Sequence, residues 1–97
     1  MRVTYSPRAV TDLEGIADYL LPRNPQAALR VRTTILNTLQ HLVRHPRLGR
    51  QQSAEGVRKI VTRKYSYRIY YTVEESADAI VVVTIQHGSQ QAEFTDA

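Results

Sequence analysis

Hydrophobic and polar positions along the chain follow two different periods, with the change near Val57. In RVTY (2–5) they alternate, which predicts a short strand with Val3 and Tyr5 on one face. Ser6-Pro7 then reads as a helix start, because serine caps and proline suits the first helical position. Val10, Leu13, Ile16, Ala17, Leu20 and Leu21 recur at spacings of three and four, a helical stripe, with Asp12 in the early turns where the helix dipole favours it. PRNP (22–25) breaks the chain, and Asn24-Pro25 restarts a helix by the same logic. Ala28, Val31, Ile35, Leu39, Leu42 and Val43 make the apolar face of this second helix, which HPRLG (45–49) stops.

From Val57 the period is two. VRKIVTR, YRIYYTV and AIVVVTIQ read as strands. EESAD is a polar hairpin loop, whereas the link at Lys64–Ser66 lacks Gly or Asn-Gly and its limits are left open. AIVVVTI is apolar on both faces, which predicts an interior strand. Tyr67, Ile69, Tyr71 and Val73 share one face of their strand, and Arg68, Tyr70 and Thr72 the other. The order β-α-α-β-β-β predicts an α+β fold. An N-terminal strand joins a small, mostly antiparallel sheet, and a helical hairpin packs on one face of it. The 97 residues are expected to form a single domain, 1–97, with a polar tail after His87 that frays or waits for a partner.

Charge sharpens this picture. The net charge is +4, but residues 44–68 carry eight cations against Glu55 alone, whereas residues 69–97 carry five acids and no Lys or Arg. Eleven of the thirteen cations are arginine, suited to bidentate contact with phosphate or carboxylate. Such a block attracts polyanions or acidic partners. With no cysteine, disulfides and thiolate metal sites are excluded, and a cytoplasmic location is expected. No apolar run approaches membrane-span length and MRVTYSPR lacks a signal-peptide core, so no membrane association is expected.

The chemistry on offer is narrow. No Gly-x-Ser-x-Gly elbow is present, and the four glycines form no phosphate loop. His41 and His45 in HLVRH could face one metal, but the glutamate of the zinc-protease pattern and a third ligand are missing; a helix C-terminus explains them as well. No metal or cofactor is expected. RNA cleavage by general acid–base chemistry needs none, and Arg58, Arg63, Arg68 and His87 are its candidate residues. A solvated sheet edge guarded by cations is the other reading of the same residues.

The whole chain resembles the RelE/ParE superfamily of type II toxin–antitoxin toxins, ParE-like branch. The resemblance rests on the Ser-Pro start, the helical hairpin, HPRLGR (45–50), GVRKIV (56–61), YRIYYTV (67–73), IQH (85–87) and the tail HGSQQAEFTD (87–96). It implies a growth-arresting toxin, associated with plasmid or chromosomal stabilisation, that a cognate antitoxin neutralises. ParE-like members inhibit DNA gyrase by binding and not as enzymes; RelE-like members are ribosome-dependent mRNA endonucleases. A third reading is a non-toxic antitoxin-binding module. Gln90 stands where the family often has arginine, and Phe94 lies where many cleaving members place tyrosine. The target-binding set expected is Arg58, Lys59, Arg63, Lys64, Arg68 and His87. The expected partner is a ParD-like antitoxin, of ribbon-helix-helix type or similar, forming a hetero-oligomer through Val10, Leu13, Val31, Ile35 and Tyr70.

Overall fold

Both helix starts use the cap-and-proline device. In the computed structural model, which describes residues 1–87, Ser6 is extended and its Oγ accepts the Ala9 N–H at 3.0 Å, with Pro7 at the first helical position. The same Oγ donates to the Val83 carbonyl at 2.7 Å and the Ser6 N–H donates to Val82 at 2.9 Å, so the cap also ties the helix to a strand. Helix α1 spans Pro7–Arg23 and α2 spans Pro25–Arg44. Asn24 alone separates them: its N–H closes α1 on the Leu20 carbonyl at 2.7 Å, and its Oδ1 accepts the Ala27 N–H at 3.1 Å to open α2. The break is thus narrower than PRNP predicts, with Pro22 inside the last turn of α1.

Among the described residues, five strands follow the order β1-β5-β4-β3-β2 in one sheet: β1 Arg2–Tyr5, β2 Arg50–Gln51, β3 Val57–Val61, β4 Arg68–Glu74 and β5 Ala79–Gln86. Only β1 and β5 pair in parallel; the other three pairings are antiparallel, as the α+β reading expects. The two helices cover one face of this sheet. Ala9, Val31, Ile35, Leu39 and Leu42 meet Tyr67, Ile69, Tyr71, Ile80, Val82 and Ile85 in the core. The strand AIVVVTIQ is interior, as its two-sided apolarity predicts. A bulge interrupts it: Tyr70 pairs with Thr84 but Tyr71 pairs with Val82, leaving Val83 as the extra residue. Asp12 Oδ2 accepts from Thr84 Oγ1 at 2.5 Å and from the Ile85 N–H at 3.0 Å, so an α1 carboxylate anchors the strand just past its irregularity.

Three features differ from the sequence reading. The buried face of α1 is built on Ala9, Leu13, Ile16 and Leu20, while Val10 and Leu21 are exposed, because the apolar stripe is wider than the surface the sheet covers. The two-residue β2 is too short to have a readable period. The β3–β4 link is a four-residue loop between Thr62 and Tyr67. It is closed by the Thr62 N–H on the Tyr67 carbonyl at 2.9 Å and by the Tyr67 N–H on Thr62 Oγ1 at 3.0 Å. A threonine hydroxyl thus does what Asn-Gly geometry does elsewhere, and Tyr65 and Ser66 take φ of 69° and 53°.

Candidate functional site

The basic stretch 56–68 is divided by the fold among three surfaces. Arg58 pairs with Tyr71 across β3 and β4, and Tyr71 belongs to the helix-side core, so Arg58 lies on the helix side of the sheet. Its guanidinium donates to the Gly49 carbonyl at 2.8 Å and the Arg47 carbonyl at 3.2 Å. Tyr71 completes the arrangement: its hydroxyl accepts the Gly49 N–H at 2.8 Å and donates to the Pro46 carbonyl at 2.8 Å. The loop HPRLG is thereby folded onto β3 and β4. Burial pushes the Tyr71 phenol above its ordinary value of 10.0, against the opposing pull of the Gly49 N–H and the Arg58 charge.

Lys59 and Arg68 lie on the opposite face. Lys59 pairs with Tyr70 and with Arg50, and Arg68 pairs with Val61, one position out of step with the helix-side residues. The face of the sheet away from the helices therefore carries Arg50, Lys59 and Arg68 around Tyr70. Arg50 is missing from the sequence-based set because nothing in the local pattern marks it as a strand residue. Tyr70 itself is 1% exposed. Arg63 and Lys64 belong to neither face: they are exposed in the turn beyond β3, against α2.

His87 follows the end of β5. Its ring meets the edge of Tyr67 at 5.1 Å and lines a cleft with Asp12, Gly15, Ile16 and Tyr19 of α1. Burial pushes the Tyr67 phenol up. Arg68 donates to the His87 carbonyl at 3.3 Å. The four residues proposed for RNA cleavage are thus not brought together. Arg58 and Arg68 are on opposite faces; Arg63, in the β3–β4 turn, is at the end of the sheet that also carries Arg68 and His87.

The hairpin residues expected to meet an antitoxin also divide. Val10 is exposed at 43% and Leu13 is half-buried, but Val31 and Ile35 are core residues at 4% and 3%. Val31 and Ile35 form the floor of an open apolar groove of about 290 Å³ between the helices, whose rims are the exposed Tyr5, Leu21, Leu29 and Leu36. The apolar surface the hairpin exposes is set by those rims, of which the sequence reading placed Leu21 on the α1 stripe and passed over Leu29 and Leu36. Gln90 and Phe94 lie outside the described residues.

His41 and His45 meet edge-on at 5.6 Å, and the His45 N–H closes α2 on the His41 carbonyl. Among the described residues no third potential ligand joins them, and no helix is long and apolar enough to cross a membrane.

With this geometry in view, the chain can be set beside known proteins. The family model described as the ParE toxin of the type II toxin–antitoxin system parDE matches residues 3–92. The toxin named RelE3 from Caulobacter vibrioides is 33% identical over 91 residues, spanning 92% of this chain and 96% of that protein. Among solved structures, the chromosomal ParDE system from P. aeruginosa superposes with a TM-score of 0.74 at 22% identity, over 90% of this chain and 95% of the other. The intact E. coli RelBE toxin–antitoxin complex gives 0.64 at 14% identity, over 92% and 98%. The two structures share the fold; the family match extends over nearly the whole sequence. The chain belongs to the ParE toxin family of type II toxin–antitoxin systems, within the wider RelE/ParE superfamily.

Proposed function

We infer that this toxin is held by a cognate antitoxin and, once released, arrests growth by binding DNA gyrase and not by cutting RNA. One observation carries the reading: Arg58 and Arg68 project from opposite faces of the sheet, and Arg58 is engaged with the Gly49 and Arg47 carbonyls. General acid–base cleavage needs its base, its acid and its phosphate-stabilising cations around one scissile bond. The candidate residues are dispersed, which suits a binding surface better than a catalytic centre. The groove rimmed by Tyr5, Leu21, Leu29 and Leu36 suits the apolar side of an antitoxin segment, with acidic residues of the same segment complementing the basic face. Purified toxin is expected to inhibit gyrase supercoiling and to lose that inhibition on addition of its antitoxin. Supercoiling that continues untouched at large molar excess overturns the gyrase target.

A second reading is favoured by one feature. Arg50, Lys59 and Arg68 do share a face, a cation set that could hold a scissile phosphate if the ribosome completed the chemistry. In that case cells expressing the toxin accumulate cleaved transcripts, and Arg68→Ala abolishes the cleavage. Intact transcripts during growth arrest exclude it.

A further inference from the structure

From Tyr19 to Ala54 the chain has no acidic residue and six arginines. Helix α2 lies wholly inside this stretch. Its row of Arg30, Thr33, Asn37 and Thr38 walls a cleft of about 490 Å³, and the opposite wall is the β3–β4 turn with Arg63 and Lys64. Arg30 and the turn are joined by a hydrogen bond between positions 35 apart in sequence, Arg30 Nε–H to the Tyr65 hydroxyl at 3.2 Å. That bond uses Nε and leaves the two Nη groups, the bidentate end of the guanidinium, outside it. The turn is in turn shaped by Thr62, whose hydroxyl donates to the Lys64 carbonyl at 2.6 Å.

The cleft has the chemistry of an anion site. Its charged groups are all cations, and the ion pairs found among the described residues lie elsewhere, at Met1–Asp78 and Arg47–Glu75. Thr33 and Asn37 add neutral donors, while the Thr38 hydroxyl is already given to the Thr34 carbonyl at 2.8 Å. Among the described residues, Leu29 is the one large apolar residue lining it. Protein partners are held chiefly by a few desolvated anchors, often Trp, Tyr or Arg, seated in well-packed pockets. The larger set of apolar anchors for such a partner is in the adjoining groove, which shares Leu29 with this cleft. Phosphates need no apolar anchor and are gripped by Arg, Lys, hydroxyl and amide donors of this kind.

We propose that the cleft between α2 and the β3–β4 turn grips the phosphate backbone of a nucleic-acid strand, without reading its sequence, through Arg30, Arg63 and Lys64. The site is distinct from the Lys59–Arg68 face and requires neither of the two readings above. It gives the toxin a hold on nucleic acid beside whichever macromolecule it inactivates.

The test measures anisotropy of a labelled single strand of about 20 nucleotides, as DNA and as RNA, on the full chain across a salt series. Binding is expected to weaken steeply with salt. A variant carrying Arg30→Gln, Arg63→Gln and Lys64→Gln is expected to lose affinity about tenfold at low salt, with a salt slope shallower by about 2 to 3. Tyr65→Phe keeps every charge but frees Arg30, and is expected to lose about threefold. DNA and RNA should lose alike, because the phosphates are common to both. A control with Arg2→Gln, Arg23→Gln and Arg44→Gln removes the same charge elsewhere and should retain most of the affinity. All substituted residues are exposed, and an unchanged melting temperature confirms that each variant is folded. Equal losses in the control and the cleft variant overturn the site, as does absence of binding at low salt. A synthetic acidic peptide that binds the cleft in the parent but not in the cleft variant, while oligonucleotide affinity is the same in both, assigns the cleft to a protein partner and overturns the proposal.

Discussion

Arg58, near the start of β3, donates to two carbonyls of the loop that precedes it, whereas Arg63, just past the other end of the strand, is exposed at a turn facing Arg30. In sequence the two are equivalent members of one basic stretch. In the fold, Arg58 is a clamp and Arg63 is part of a surface. The difference follows from what lies within reach. The HPRLG loop lays its Pro46, Arg47 and Gly49 carbonyls and the Gly49 N–H beside Arg58 and Tyr71. The turn at 63–66 satisfies its own backbone through Thr62 and leaves its cations for something else. Charge density alone does not mark an arginine as functional; the carbonyls around it decide.

The largest effect on this contrast comes from Gly49. A Cβ there would sit 2.6 Å from the Tyr71 hydroxyl and 2.9 Å from the Lys59 carbonyl, closer than packing tolerates. Gly49→Ala is expected to push the loop off the strands and destabilise the protein by about 3 kcal/mol, read from a denaturant midpoint. If the loop tolerates the methyl group with no change in midpoint, the clamp is not a rigid unit. Arg58→Gln comes next. It removes two charge-assisted bonds at a half-exposed site, and a loss of about 1 to 2 kcal/mol is expected. Arg63→Gln and Lys64→Gln should each stay within about 0.5 kcal/mol of the parent. Equal losses at all three positions would erase the distinction.

Much of the scaffold could be read in advance. Ser6-Pro7 and Asn24-Pro25 each carry both the cap and the preset φ of a helix start, so local chemistry suffices. Tyr67, Ile69, Tyr71 and Val73 face the core because strand parity is a local property. The features that escaped depend on distant residues. Strand β2 exists only because Arg50 and Gln51 meet Lys59 and Arg58 across the sheet, and β1 finds β5 after more than seventy intervening residues. The placement of the candidate residues could not be read for the same reason. That Arg58 and Arg68 face opposite ways follows from the β3–β4 register, and no pattern within either strand reports register. On α1, the excess apolar width that reads as core includes Leu21, a rim of the inter-helix groove.

High pH probes the clamp from its tyrosine. Burial raises the Tyr71 phenol above 10.0 in the folded state, so the fold holds that proton more tightly than the unfolded chain does. The associated stability is fully present below the unfolded value and is lost as pH climbs through the folded one. Melting temperature is therefore expected to be level up to about pH 10 on account of this group and to fall above it. Tyr67 adds to the same decline, since burial raises it too. Tyr71→Phe should start from lower stability, having lost the Pro46 and Gly49 bonds, but decline less steeply in alkali. Arg58→Gln removes a positive charge that opposes the rise, so its decline should be displaced to higher pH than the parent's. A parallel fall in all three proteins would separate the alkaline transition from the clamp.

The smallest effect tests the turn. Ser66 holds φ at 53° and Tyr65 at 69°, where a side chain is disfavoured relative to glycine by about 1 kcal/mol. Ser66→Gly relieves that strain but adds freedom to the unfolded chain, so a gain of about 0.5 kcal/mol is expected. Tyr65→Gly gives similar backbone relief yet removes the hydroxyl that accepts from Arg30. If the turn is kept in this conformation to hold Arg30 against Lys64, the two glycine variants will differ in binding, not in stability. Ser66→Gly should retain oligonucleotide affinity, and Tyr65→Gly should fall at least as far as Tyr65→Phe. Were both to retain it, the left-handed backbone at Tyr65 would serve only to close the hairpin, and the turn would resemble the HPRLG loop in being structural.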